Sequence, residues 1–268
     1  MLRQDRVEEF FESIARASRS LLMLDYDGTL APFSVDRGHA VPYDGVLRLL
    51  QQIVDTGRAR LVFVTGRNAV EIDPFLPLRP APEIWGSHGL QRLRPDGTCD
   101  MPDIPADVAE VLGDAKRWLD YQGFGELAEI KPGSIAAHWR ALPFGEAEEI
   151  RGKILVGWFP IADRASLKLL EFDGGVEMRF PDLDKGDAVR IVLAETAPEV
   201  PVAYLGDDLS DERAFRALGT RGLTVLVRRR QRRTAAQIWI KPPEELLEFL
   251  SRWLAASQTT QLARSATY

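Results

Sequence analysis

The chain of 268 residues contains a single cysteine, Cys99. One cysteine cannot form an internal disulfide, so a disulfide-stapled fold is excluded. Cys99 follows a polar Pro-Asp-Gly-Thr turn at residues 95–98, and we interpret it as a bystander rather than a nucleophile. So low a cysteine content is typical of the reducing cytoplasm, where we expect the protein to work.

Long apolar runs and net positive charge are also missing. No apolar stretch approaches the roughly 20 residues needed to span a membrane. The first 20 residues are charged, and their apolar positions predict an amphipathic helix instead of a secretory signal. A net charge of −6 argues against a general nucleic-acid binder. We therefore expect neither a membrane nor a nucleic acid as a partner.

Two aspartates directly follow a buried apolar run near the start of the chain. The run LLML at residues 21–24 predicts a strand buried on both faces, and the motif DYDGT at residues 25–29 follows it. Asp25 and Asp27 would repel each other there unless a cation or a proton intervenes. The motif therefore indicates a hard metal ion and an anionic substrate. A tight turn or a calcium loop uses the same residue types and stays open as an alternative.

Strand and helix patterns alternate before residue 101 and again after residue 180. This alternation predicts a parallel sheet with helices on both faces, an α/β fold. Residues 101–180 instead show helix, hairpin, helix and hairpin, which predicts an inserted α+β domain with an antiparallel sheet. The predicted core domain is therefore split in sequence, into residues 1–100 and 181–268.

Four polar clusters lie at the ends of predicted core strands or at a helix start. They are Asp25 with Asp27, the TGR motif at residues 65–67, Lys185, and the run GDDLSD at residues 206–211. Each cluster taken alone is compatible with a helix cap or a solvated charge. Together they favour a site, because open α/β sheets bind ligands at the carboxyl ends of their strands.

The order and identity of these clusters resemble the haloacid dehalogenase (HAD) superfamily of phosphotransferases. The resemblance implies a HAD-like Rossmannoid core with a type C2 cap inserted at residues 101–180. It implies that Asp25 is the nucleophile and that Asp27 is the general acid and base. It further implies that Thr65 donates to a phosphoryl oxygen, and that Lys185 neutralises charge on the phosphoryl group and the nucleophile.

The same resemblance implies a magnesium site. Its ligands would be the Asp25 carboxylate, the backbone carbonyl of Asp27, and Asp207, with Asp208 and Asp211 as supporting acids behind them. Mg²⁺ prefers oxygen ligands and keeps several waters, so a few carboxylates suffice. Acids, one lysine and one hydroxyl also suit phosphoryl transfer, which depends on positioning and charge stabilisation.

Further motifs resemble the trehalose-6-phosphate phosphatase family over nearly the full length. They are GSHG at residues 86–89, EIK at 129–131, HWR at 138–140 and EMR at 177–179. The resemblance implies trehalose 6-phosphate as the substrate, and we expect the chain to act as a monomer. The implied substrate-binding residues are Gly66, Arg67, His88, Glu129, Lys131 and Glu177.

Within this set, the resemblance implies that Glu129, Lys131 and Glu177 hold hydroxyls of the distal glucose, since carboxylates accept from hydroxyls. An ion pair on an exposed strand is the alternative for Glu129 and Lys131. One residue departs from the family pattern, because Thr65 replaces the more usual serine and keeps the hydroxyl. The basic loop RRRQRR at residues 228–233 is not explained by the family. It is either a solvated loop, the interpretation we favour, or a docking site for an acidic partner.

The sequence therefore predicts a magnesium-dependent phosphatase that hydrolyses trehalose 6-phosphate through an aspartyl-phosphate. One alternative keeps the chemistry and changes the substrate to sucrose phosphate, glucosyl- or mannosyl-phosphoglycerate, or a pseudo-sugar phosphate. Another is a non-catalytic domain that senses sugar phosphates, and a third is a phosphomutase. The retention of both aspartates of the DYDGT motif, of Lys185 and of Asp207 argues against the non-catalytic alternative.

Overall fold

The computed structural model describes residues 2–32, 40–172, 174–180 and 183–265, without the side chains of residues 2–4 and 260–265. The chain divides into two compact units. We call Met1–Cys99 together with Lys185–Tyr268 the core unit, and Asp100–Asp184 the inserted unit.

The core unit alternates strands and helices. Before the insertion its elements are α1 (Leu2–Arg16), β1 (Ser20–Leu24), α2 (Val46–Asp55), β2 (Ala59–Val64), α3 (Ala69–Ile72), β3 (Glu83–Gly86) and β4 (Gln91–Leu93), with β5 (Cys99–Asp100) at the boundary. After the insertion they are α6 (Lys185–Ala194), β10 (Val202–Gly206), α7 (Asp211–Leu218), β11 (Leu223–Val227), β12 (Ile238–Ile240) and α8 (Glu244–Ser265).

These strands form one sheet in the order β12-β11-β10-β1-β2-β3-β4-β5. The six strands from β12 to β3 are parallel, and β4 pairs antiparallel with β3. Leu24, the last residue of β1, lies opposite Leu205 of β10 and Phe63 of β2. The carboxyl ends of β10, β1 and β2 are therefore side by side at one edge of the sheet.

Helices cover both faces of this sheet, which explains why β1 is apolar from Leu21 to Leu24. Leu22 and Leu24 pack into a cluster with residues of α1, α2 and α8. Leu21 and Met23 pack on the opposite face with residues of α6 and α7. All five residues of β1 are buried. A strand covered on both faces has no solvent side, so alternation is replaced by a continuous apolar run.

The inserted unit contains a four-stranded antiparallel sheet in the order β6-β7-β9-β8. Its elements are α4 (Ala106–Tyr121), β6 (Ala128–Lys131), β7 (Ser134–His138), α5 (Phe144–Asp163), β8 (Lys168–Phe172) and β9 (Gly175–Arg179). Ile135 and Met178 pack against the two helices on one face. Glu177 lies opposite Ala136 and alternates with those apolar residues, so the other face of the sheet is polar.

Neither unit offers a helix that is both long and apolar enough to cross a membrane, within the residues described. Cys99 is a free, exposed thiol in β5.

Candidate active site

A polar side chain suited to catalysis or ligand binding follows each of three neighbouring parallel strands. Asp25 follows β1, Thr65 follows β2 and Asp207 follows β10. Lys185 begins α6, and Asp211 begins α7. The order of the strands in the sheet brings these residues from distant parts of the chain to one edge, where an open α/β fold binds its ligands.

The Lys185 ammonium lies between two carboxylates. Its Nζ donates to Asp25 Oδ1 at 2.6 Å and to Asp211 Oδ1 at 2.8 Å. The residue is only 3% exposed. Burial by itself lowers the pKa of the Lys185 ammonium, but Asp211 and Asp25 outweigh burial and hold that pKa above its ordinary value. Lys185 is therefore a fixed positive charge directly beside Asp25.

Asp211 accepts hydrogen bonds from every side. Besides Lys185, the hydroxyl of Tyr204 donates to Oδ1 at 2.6 Å. The backbone N–H groups of Asp207 and Asp208 both donate to Oδ2 at 3.0 Å. Two carboxylate oxygens offer about four lone-pair sites, and these four donors use them all. Asp211 therefore organises the loop and Lys185 and has no oxygen left for a metal ion.

Asp25 is buried and held by two donors. Thr29 Oγ1 donates to Oδ2 at 2.9 Å, while Lys185 contacts Oδ1. Desolvation raises the pKa of the Asp25 carboxyl to about 7, because it outweighs the opposing effect of Lys185 and because Asp211 and Asp27 are of like charge. A carboxylate with two fixed oxygens and an adjacent ammonium has the orientation that a nucleophile requires.

The buried acids fit a divalent cation. Carboxylate oxygens of Asp25, Asp207 and Asp211 lie within 4.8 Å of one another. Among the described residues, Asp207 Oδ1 is buried with no hydrogen-bond partner. Burial, followed by the charges of Asp25 and Asp211, raises the pKa of Asp207 well above its ordinary value. Lys185 alone cannot offset three carboxylates, so a cation would relieve their repulsion. Since Asp211 is saturated, Asp25 and Asp207 are the carboxylates available to it.

Arg67 contacts the carboxylate of Asp27 through two nitrogens. Nε donates to Oδ2 at 2.7 Å and Nη2 to Oδ1 at 2.5 Å, in a fork geometry that fixes both groups. The guanidinium also lies 5.3 Å from the ring centre of Tyr26 and 5.8 Å from that of Phe75. Arg67, one of the predicted substrate-binding residues, is thus placed directly on the predicted acid and base.

The turn after β2 joins three more predicted residues. Thr65 is buried, and its hydroxyl accepts from the backbone N–H of Arg67 at 3.1 Å. The backbone N–H of His88 donates to the Thr65 carbonyl at 2.9 Å. A Cβ at Gly66 would lie 2.6 Å from His88 Cε1, so only glycine lets this imidazole approach. His88 therefore packs against the backbone of the turn that positions Thr65.

The inserted unit brings its three predicted residues together on the polar face of its sheet. Lys131 Nζ lies 2.7 Å from Glu177 Oε1 and 3.8 Å from Glu129 Oε2. Ser134 Oγ donates to Glu177 Oε1 at 2.9 Å, and His138 Nε2 lies 2.7 Å from Glu129 Oε2. The ion pair of Glu129 and Lys131, considered as the alternative, is thus present at 3.8 Å, but Lys131 is buried and lies closer to the buried Glu177.

Two residues that fix the core site, Thr29 and Tyr204, are not among the residues predicted from the sequence. Thr29 ends the DYDGT motif, and its hydroxyl donates to the Asp25 carboxylate, a contact that the motif does not show. Tyr204 lies in the apolar run of β10, and a hydroxyl inside a fully buried strand indicates a buried hydrogen-bond acceptor nearby. A buried tyrosine hydroxyl needs a partner, and Asp211 is that partner.

The fold is that of HAD-like hydrolases. A haloacid dehalogenase-like hydrolase from Bacteroides thetaiotaomicron matches with a TM-score of 0.60 over 87% of this chain and 99% of that chain, at 15% identity. The C-terminal domain of Candida albicans trehalose-6-phosphate phosphatase matches with a TM-score of 0.80 over 93% of this chain and 96% of that chain, at 18% identity. The predicted fold class is confirmed.

The family is defined more narrowly by sequence. Residues 23–239 match the family model described as Trehalose-phosphatase. Trehalose-phosphate phosphatase of Mycobacterium marinum is 32% identical over 259 residues, which cover 91% of this chain and 63% of that protein. The chain belongs to the trehalose-phosphatase family, as the motifs predicted. It spans somewhat under two thirds of the length of the curated relatives it matches.

Proposed function

We propose that the protein is a magnesium-dependent phosphatase that hydrolyses trehalose 6-phosphate to trehalose and phosphate. The observation that carries the proposal is the buried Asp25–Lys185–Asp211 bridge beside Asp207, within a chain of the trehalose-phosphatase family. A phosphoryl group is an anion, and in this acidic protein Lys185 offers it a fixed positive charge at the strand ends. The exposed free thiol of Cys99 suits the reducing cytoplasm that we propose as its location.

In this proposal Asp25 attacks phosphorus and forms an aspartyl-phosphate while the bond to the sugar oxygen breaks. Asp27 donates its proton to that oxygen and later takes a proton from the attacking water. Water then breaks the bond between phosphorus and Asp25, and phosphate leaves. Thr65 donates to a phosphoryl oxygen, and Lys185 neutralises charge on both the phosphoryl group and the nucleophile.

We propose the Asp25 carboxylate, the Asp27 backbone carbonyl and Asp207 as ligands of Mg²⁺. The support is that no residue of the described part of the chain donates to the buried Oδ1 of Asp207, and that carboxylates crowd around it. Asp208 and Asp211 act behind these ligands. Bound Mg²⁺ would supply the positive charge that stabilises the phosphoryl oxygens in the transition state.

Arg67 acts in this proposal by orienting Asp27, as their two hydrogen bonds suggest. Gly66 and His88 shape the turn that presents Thr65 to the phosphate.

We further propose that Glu129, Lys131 and Glu177 bind hydroxyls of the distal glucose. Their support is chemical, because the cluster offers both acceptors and donors, as sugar hydroxyls require. Buried ion pairs contribute little net stability, since desolvation offsets their attraction. The cost of keeping Lys131 and Glu177 buried is more readily explained by ligand binding than by stability.

The test is phosphate release from a panel of sugar phosphates at fixed Mg²⁺. The panel contains trehalose 6-phosphate, sucrose 6-phosphate, glucose 6-phosphate and glucosylglycerate phosphates. We expect the highest kcat/KM on trehalose 6-phosphate. A higher value on another sugar phosphate would keep the core mechanism and overturn the sugar assignment. A product that is a second sugar phosphate, without free phosphate, would identify a phosphomutase.

A further inference from the structure

In the basic loop at residues 228–233, the side chain of Arg232 turns back onto the protein. All five N–H donors of the Arg232 guanidinium are directed at acceptors. Nη1 donates to Glu212 Oε1 and to the Arg233 carbonyl. Nη2 donates to the carbonyls of Asp207 and Asp208 at 3.2 and 2.7 Å, and Nε to the Asp207 carbonyl at 3.4 Å. With no donor left over, Arg232 is not a group that binds substrate or an acidic partner.

The prediction of a solvated loop is therefore wrong for Arg232, whose side chain is 18% exposed. It describes Arg229, Arg230 and Arg233 correctly, since all three are exposed. A run of like charges in the sequence hides this difference, because only the path of the loop decides which guanidinium turns back onto the protein.

The backbone of Asp207 and Asp208 is consequently held from two directions. Their N–H groups donate to the carboxylate of Asp211. Their carbonyl groups accept from Arg232, and the Asp207 carbonyl also accepts from Arg228 Nη1 at 3.4 Å. A backbone fixed through both N–H and C=O groups fixes the direction of the Asp207 Cα–Cβ bond, and so the point from which its carboxylate reaches into the site.

Glu212 connects this arrangement to α7. Its Oε1 accepts from Arg232, and its Oε2 accepts from the backbone N–H of Ala235 at 2.7 Å. Glu212 directly follows Asp211 in the first turn of α7. The start of this helix therefore provides both Asp211, which accepts from the N–H groups of the Asp207–Asp208 backbone, and Glu212, which binds the arginine that donates to its carbonyls. The basic loop is thus attached to the same element that orients Lys185.

We propose that Arg232 is a positioning residue that fixes the Asp207 carboxylate for binding a divalent cation. The inference rests on the proposed function, in which Asp207 is a metal ligand. Asp207 is buried beside the like charges of Asp25 and Asp211, and their repulsion pushes its carboxylate away from the site. Hydrogen bonds from Arg232 oppose that displacement through the backbone. Partners that orient a metal ligand in this way typically change metal affinity about 10-fold to 100-fold.

The experiment titrates Mg²⁺ alone into cation-free protein by calorimetry, comparing the natural chain with Arg232→Gln and Arg230→Gln. Arg230→Gln removes the same charge from an exposed position in the same loop. Removing a positive charge near a cation site reduces the repulsion of Mg²⁺. This Coulomb effect alone would tighten Mg²⁺ binding in both variants. We expect the opposite sign for Arg232→Gln, with Kd rising about 10-fold to 100-fold. For Arg230→Gln we expect a change within about twofold, because an exposed charge is screened.

A second variant covers a failure of Arg232→Gln to fold. Arg232→Lys keeps the charge and loses the planar fork, so its Mg²⁺ Kd should also rise. Unchanged or tighter Mg²⁺ binding in the folded Arg232 variants, even with a lower melting temperature, would overturn the inference and leave Arg232 a structural residue. Absence of Mg²⁺ binding to the natural chain would overturn the proposed metal site itself, which is a separate result.

Discussion

The three buried aspartates of the core site differ in what their oxygens already bind. Asp211 has four donors, Asp25 has two, and Asp207 leaves Oδ1 without one among the described residues. Counting acceptor sites thus separates an organising acid from two acids that can take a ligand. Charge alone would treat all three alike.

Replacing the nucleophile tests the assignment at a single residue. Asp25→Asn keeps the size of the side chain and an oxygen that can accept from Lys185, but it removes the carboxylate that would form the proposed aspartyl-phosphate, an acyl phosphate. We expect phosphate release to fall by at least about three orders of magnitude, with an unchanged circular dichroism spectrum. Substantial activity in the folded variant would exclude Asp25 as the nucleophile.

Arg67 offers a second test at this scale, since it lies on Asp27. Arg67→Lys keeps the positive charge and loses the two parallel hydrogen bonds. If Arg67 orients the acid and base, kcat should fall by about 10-fold or more while KM for trehalose 6-phosphate changes little, because general acid–base catalysis contributes roughly 10²–10⁴. A raised KM with kcat unchanged would instead assign Arg67 to substrate binding. Arg94→Lys, a change in the turn that follows β4, serves as the matched control.

At the scale of elements, the sheet and its strand ends were accessible from sequence. A short apolar run that ends in acids predicts a parallel strand with a site at its carboxyl end, as for β1 and Asp25. The partners of those acids were not accessible. Whether Arg67 contacts Asp27, or Arg232 contacts Asp207, depends on side-chain directions and loop paths that residue types do not specify. The close approach of Gly206 and Asp211 is a further contact that the sequence does not show. A Cβ at Gly206 would lie 2.4 Å from Asp211 Cγ, although both residues belong to the same motif.

Helix α6 presents Lys185 at its first residue. Glu195, which directly follows the last residue of α6, is bound to the sheet by ion pairs. Glu195 accepts from Arg92 at 2.6 and 2.7 Å and from Arg60 at 2.8 Å. Hydrogen bonds from Arg92 have the largest effect on the pKa of Glu195, and burial opposes them. With the further contribution of Arg60, the pKa falls from 4.5 to about 2. A carboxyl group whose pKa is lower in the folded state stabilises the fold above its unfolded pKa.

Glu195→Gln should therefore have a lower melting temperature than the natural chain at pH 7. The difference should shrink as the pH falls from about 4.5 towards about 2, because the natural chain then loses its carboxylate as well. Thermal unfolding followed by circular dichroism across this range measures the effect. Glu199→Gln, which removes an exposed carboxylate nearby, is the matched control. A difference independent of pH would show that the ion pairs do not act through the charge of Glu195.

At the scale of the whole molecule, the chemistry and the choice of sugar are assigned to different units. The core unit contains the proposed nucleophile, acid, lysine and metal ligands. The inserted unit contains the Glu129, Lys131 and Glu177 cluster. A division of this kind predicts that changes in one unit alter specificity while changes in the other alter turnover of every substrate.

Glu177→Ala separates these two effects. We expect kcat/KM on trehalose 6-phosphate to fall by about 10-fold to 100-fold, as for loss of hydrogen bonds to a charged group, with a much smaller change on p-nitrophenyl phosphate. Glu177→Gln keeps the shape of the side chain and an oxygen that accepts from Ser134, but it removes the charge. It therefore separates the effect of losing the ion pair with Lys131 from the effect of truncating the side chain. Glu110→Ala, at an exposed position of α4, should alter neither substrate. Equal losses on both substrates would show that Glu177 does not contact the sugar.

The proposed function requires metal-dependent hydrolysis of trehalose 6-phosphate at Asp25. Its most direct test is a time course of phosphate release from trehalose 6-phosphate with Mg²⁺, after EDTA, and after Mg²⁺ is restored, in the natural chain and in Asp25→Asn. We expect phosphate release with Mg²⁺, its loss with EDTA, its return with excess Mg²⁺, and none above background in the variant. Release that persists in EDTA, or no release from the natural chain with Mg²⁺, would contradict it.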